Sequence, residues 1–75
     1  MYEEIFNYIK EKICELGFEE NEITENSGIR SDLGLDSSEV VEVSLKIKKD
    51  YMLDIDLKED MQIKDVVNKI LEGKQ

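Results

Sequence analysis

The sequence predicts an all-α fold, a small four-helix bundle of three longer helices and one short helix with a long first loop. Three observations carry this. Apolar residues recur at helical spacing in three separate stretches. The 75 residues include no proline and only four glycines, too few breakers for a sheet with many turns. Residues that cap helices stand where those stretches begin and end.

The first helix is expected over residues 2–16, where Ile5, Ile9, Ile13 and Leu16 follow i, i+4, i+8 and i+11 with Phe6 beside them. Glu3 and Glu4 complement the positive end of its dipole, and Gly17 suits the position after its last turn. Residues 18–35 lack sustained periodicity and carry Asn21, Asn26, Ser27, Gly28 and Gly34. They read as a loop, pinned to the core by Phe18, Ile23, Ile29, Leu33 and Leu35, because a loop this long in a small domain needs anchors. The second helix spans 37 to about 51. Val40, Val43, Ile47 and Tyr51 form its core stripe, with Val41 and Leu45 to one side. Residues 52–55 link to a short helical turn opened by Asp56, with Glu59 at capping-box spacing. Ile63, Val66, Val67, Ile70 and Leu71 mark a last helix over about 62–71, which Gly73 is expected to stop. No repeat or linker divides the chain, so residues 1–75 are expected to form a single domain and a monomer.

Composition narrows the function. A chain this short buries a modest core, which disfavours an enzyme with its own substrate cavity. The net charge of −9 disfavours nucleic acid, whose phosphates require a basic face, and anionic membrane surfaces equally. It favours a protein partner with a basic patch. There is no histidine, which removes Ser–His and Cys–His catalysis and the usual nitrogen ligand for zinc. The acids Asp50, Asp54, Asp56, Glu59 and Asp60 lack the alternation and glycine of a calcium loop, so no metal site is expected. Cys14, the single cysteine, sits beside a core position, reads as a structural thiol and suits a reducing compartment. No membrane-spanning run or signal-peptide apolar region is present in the sequence, so a cytoplasmic protein is expected. The charge is uneven. Residues 1–36 hold ten acids against three bases, whereas residues 37–51 set Glu39, Glu42 and Asp50 against Lys46, Lys48 and Lys49.

The most informative stretch is Asp-Leu-Gly-Leu-Asp-Ser-Ser-Glu-Val-Val-Glu, residues 32–42. It places Ser37 at the start of the second helix, after a glycine-bearing turn. Asp36 is the candidate N-cap and Glu39 completes a capping-box spacing. A hydroxyl held there is expected to face solvent near backbone N–H groups that favour an attached phosphate. A helix cap alone explains Asp36-Ser37-Ser38-Glu39 as a tetrapeptide, and Asp36 is able to serve both roles.

With its flanking residues, this stretch resembles the acyl carrier protein family. The likeness runs nearly end to end, through the Leu16-Gly17 stop, the Ile23-Thr24 loop, Asp32-Leu33-Gly34, the Tyr51 to Ile55 link and the final helix. The resemblance implies an acyl-carrier-type bundle whose Ser37, rather than Ser38, receives covalent 4′-phosphopantetheine from coenzyme A through a phosphopantetheinyl transferase. The arm's thiol then holds an acyl intermediate as a thioester, in a fatty-acid-like or specialised biosynthetic pathway. It implies that Asp36 is recognised by the transferase, and that Glu39, Val41, Glu42 and Leu45 meet acyl-transferring or condensing enzymes with basic docking patches. No catalytic residue is implied in the chain itself. Five positions depart from the pattern: Ser38 stands where leucine is common, Lys46, Lys48 and Lys49 stand where the helix is often acidic, and Asp56 stands where proline is frequent. The alternative reading is an acidic helical adaptor with the same fold and no arm.

Overall fold

The first helix, α1 (Tyr2–Cys14), buries Ile5, Ile9 and Ile13 to 1% exposure each, as their spacing requires. It ends two residues short of the apolar pattern. Leu16 N–H reaches Ile13 O and Gly17 N–H reaches Cys14 O, both at 3.0 Å, so the last turn tightens and Gly17 leaves it at φ +105°. The computed structural model describes residues 1–57 and 60–73.

The long loop is held at several points. Ile23, Ile29, Leu33 and Leu35 are buried and Phe18 is half-buried. A short 3-10 helix, Glu20–Glu22, lies within it; three residues show no period, so no sequence pattern announces it. Ser27 is buried, and its hydroxyl accepts from Thr24 N–H at 3.0 Å and donates to Glu22 O at 3.2 Å. The segment before the last helix clamps the same loop: Ile29 N–H bonds Met61 O at 2.9 Å, and Ile63 N–H bonds Ser27 O at 3.0 Å. Gly28 and Gln62 form an isolated antiparallel bridge there.

The second helix, α2 (Ser37–Tyr51), buries Val40, Val43 and Ile47 and ends at Met52 in the left-handed region, φ 60°. Tyr51 is half-buried and stands edge-on to Tyr8 of α1, with ring centroids 4.9 Å apart. Asp56 and Leu57 belong to no helix, although the sequence predicts a short turn opening at Asp56; Glu59, its capping partner, lies outside the described residues. Leu57 instead drops into the core.

The third helix, α3 (Ile63–Gly73), buries Ile63, Val66, Val67 and Ile70 and packs on α1. Gly73 is the last residue of this helix, which runs two residues beyond the expected end near Leu71. A Cβ there would fall 2.9 Å from Leu53 Cδ2, so this glycine serves a close approach between helix and link. The fold is all-helical, with no strand among the described residues. No described helix is long and apolar enough to cross a membrane.

Candidate functional site

The chain enters α2 through a turn fixed on both sides. Leu33 and Leu35 are buried, with Gly34 between them at φ +78°, a conformation open to glycine at little cost. Leu33 N–H reaches Gly28 O at 3.0 Å and Leu35 N–H reaches Ile29 O at 2.9 Å. The Asp32 carboxylate accepts from Gly28 N–H at 2.7 Å. Asp60 braces the outer side, accepting from Arg30 N–H at 3.0 Å and Ser31 N–H at 3.3 Å. The Ser31 hydroxyl and these N–H groups hold its carboxyl below the ordinary carboxylate range. Sequence reading misses Asp60 because it lies 30 residues from the groups it braces.

The helix start itself is a complete capping box. Asp36 Oδ1 accepts from Glu39 N–H at 2.8 Å, and Glu39 Oε1 accepts from Asp36 N–H at 3.0 Å. The Ser38 hydroxyl donates to the same Asp36 oxygen at 2.9 Å. The Glu39 N–H and the Ser38 hydroxyl, in that order, hold the Asp36 carboxyl below the usual range. Ser37, between these engaged neighbours, is exposed, and its hydroxyl makes no hydrogen bond among the described residues. Its backbone position is therefore fixed while its oxygen is free. Chemically, the arrangement offers an alcohol at the positive end of a helix with open space for a substituent. The neighbouring Asp36 carboxylate is committed to its own cap.

The four flanking candidates divide. Val41 and Leu45 are 54% and 59% exposed, so they lie outside the core stripe. Glu42 is exposed and has no ion-pair partner among the described residues, whereas Glu39 is partly buried with its carboxylate engaged in the cap. Met52, at i+11 from Val41, extends the exposed apolar line and is 84% exposed. Sequence reading stops that line at Leu45 because Met52 lies past the helix end, although continuing the same spacing reaches it. Among the described residues, no three histidines, cysteines or acids converge as metal ligands. A shallow acidic concavity lined by Asp56, Asp60, Asp65 and Glu72 lies between the link and α3, and Ser37 is not part of it.

The exposed hydroxyl, a rigid backbone beneath it and a helix N-terminus behind it fit a phosphate-linked substituent. The family model described as the phosphopantetheine attachment site matches residues 7–71. No curated protein matches the chain.

Proposed function

The chain belongs to the phosphopantetheine-attachment family, with 4′-phosphopantetheine as its cofactor, and from that premise we propose that Ser37 carries the arm. The observation that carries the assignment is its exposed, unbonded hydroxyl at the first position of α2. Ser38 is the nearest competitor, and its hydroxyl is engaged with Asp36.

The chain is thus a phosphopantetheine carrier. When bound, the arm supplies a thiol that holds an acyl group as a thioester. The residues of the chain perform the presenting. Leu33 and Leu35 seat the turn, the Asp36–Glu39 box fixes the start of α2, and Ser37 Oγ projects from that rigid base. During attachment Ser37 Oγ would bond to the phosphopantetheine phosphorus of coenzyme A as its pyrophosphate bond breaks and adenosine 3′,5′-bisphosphate leaves, the hydroxyl proton going to a base on the transferase. The chain has no histidine, and the Asp36 carboxyl, held below the usual range by its hydrogen bonds, is a poor proton acceptor. Glu42, Val41 and Leu45 present an exposed surface beside Ser37, suited to acyl-transferring or condensing enzymes of a fatty-acid-like or specialised biosynthetic pathway. The catalytic groups belong to those enzymes.

Intact mass spectrometry tests the assignment. Incubation of the apo chain with coenzyme A and a broad-range phosphopantetheinyl transferase is expected to add one phosphopantetheinyl group. Ser37→Ala is expected to abolish the gain and Ser38→Ala to retain it. A gain that persists in Ser37→Ala would refute the proposal.

A further inference from the structure

We propose that the exposed face of α2 is a bipolar docking surface, matched to a partner enzyme whose apolar groove is basic at the end beside its active-site entrance and acidic at the far end. This deepens the carrier reading and rests on it for the direction in which Ser37 faces.

The argument starts from the register. Val41, Leu45 and Met52 recur at i, i+4 and i+11 and are 54%, 59% and 84% exposed, opposite the buried Val40, Val43 and Ile47. Lys48 and Lys49 fall at i+7 and i+8 of the same series, so their charges flank the apolar line at its far end. Eleven residues of helix make that line about 16 Å long. It is an exposed apolar line that Lys48 interrupts between Leu45 and Met52, with Glu42 near its Ser37 end and Lys48 and Lys49 near its far end.

The three lysines of α2 are not equivalent. Lys46 is partly buried and bonded to Glu15 of α1 at 3.1 Å, which neutralises it within the chain. Lys48 and Lys49 are exposed and have no ion pair among the described residues. At the other end Glu39 is engaged in the cap, which leaves Glu42 as the free acid beside Ser37. The operative pattern is a negative end at Glu42 and a far end where Lys48 and Lys49 outnumber Asp50, whose carboxylate is turned to the Tyr8 hydroxyl. A groove basic along its whole length meets like charge at Lys48 and Lys49, so these two residues reject it while Glu42 attracts the correct end.

The bias holds against the background of the molecule. The net charge of −9 steers the whole chain toward any basic surface, yet the far end of α2 repels one locally through Lys48 and Lys49. Met52 adds a second sign of a presented surface. A long apolar side chain stands almost fully in water on a backbone at φ 60°, where glycine would be more comfortable.

The test measures direct binding of the apo chain, so it does not depend on Ser37 being modified. The probe is a condensing enzyme of known structure whose docking patch is wholly basic. Lys48→Glu with Lys49→Glu is expected to tighten binding by about tenfold, and the milder Lys48→Gln with Lys49→Gln to give part of that gain. Lys64→Glu with Lys69→Glu on α3 changes net charge equally and is expected to give a much smaller gain. Reversing the basic residues of the probe at the end remote from its active-site entrance is expected to recover binding of the unmodified chain. Met52→Ser is expected to weaken that recovered complex. Equal gains from the α2 and α3 pairs would overturn the proposal, as would a reversed probe that binds the unmodified chain no better. Failure here with Ser37 still loaded would remove the docking surface and leave the attachment site standing.

Discussion

Asp36 is the residue on which the geometry of the site turns. Its carboxylate closes the capping box and also receives the Ser38 hydroxyl. Removing it frees the first turn of α2 directly beneath Ser37. Asp36→Ala is therefore expected to lower the Tm at neutral pH and to slow phosphopantetheinyl loading. The pH dependence follows from the direction of its shift. The folded-state carboxyl is held below its ordinary range, so its contribution is present above the unfolded carboxylate pKa of about 4 and disappears as the pH falls through the lower folded value. The Tm gap between the unmodified chain and Asp36→Ala is expected to be widest near neutrality and to close in acid. A gap that stays constant to the acid limit would show that the cap is not held by an ionised carboxylate.

At the scale of elements, α2 is tied to α1 through Tyr8. Its ring meets Tyr51 edge-on, and its hydroxyl lies against the Lys46 carbonyl at 3.0 Å and the Asp50 carboxylate. Burial first, then the bond to Asp50, pushes its pKa up, so it stays a protonated donor throughout the working range. Tyr8→Phe keeps the ring contact and removes the donor, and is expected to cost about 1 kcal/mol in urea denaturation. An unchanged midpoint would assign the α1–α2 contact to the rings alone. Tyr8 also marks what the sequence leaves illegible. The core faces of all three helices are readable from Ile5-Ile9-Ile13, Val40-Val43-Ile47 and Ile63-Val66-Val67-Ile70, because periodic burial leaves a periodic record. The capping box at Asp36 is equally legible, since its partners lie three residues apart. Tyr8 to Asp50 and Asp60 to Arg30 are pairings between distant segments, and composition at one end says nothing of the other. The close approach of Gly73 to Leu53 is illegible for the same reason, since only the packing brings the end of α3 to the link.

On the scale of the whole molecule, 19 acids against 10 bases set the behaviour in salt. Three ion pairs, Lys10–Glu20, Lys12–Glu15 and Lys46–Glu15, are formed among the described residues, and all are at least partly exposed. Such pairs contribute little each, so repulsion among the unpaired acids dominates the net electrostatics. Raising ionic strength from about 0.01 M to about 0.15 M shortens the Debye length from about 30 Å to about 8 Å and screens that repulsion. The Tm is expected to rise over this interval, with chloride salts of sodium and potassium giving the same increase. A fall would mean that the few ion pairs outweigh the surplus of acids. The same field accelerates encounter with basic enzymes, and the local pattern on α2 then selects among them.

Site-resolved mass spectrometry of the protein isolated from its native cell reaches the central claim most directly. Cleavage after Arg30 and Lys46 releases a peptide of residues 31–46 that holds Ser31, Ser37, Ser38 and Ser44 together. Fragmentation is predicted to place one phosphopantetheinyl group, free or acylated, on Ser37. The group on any other serine, or a peptide that remains bare after exposure to an active transferase and coenzyme A, would contradict the account.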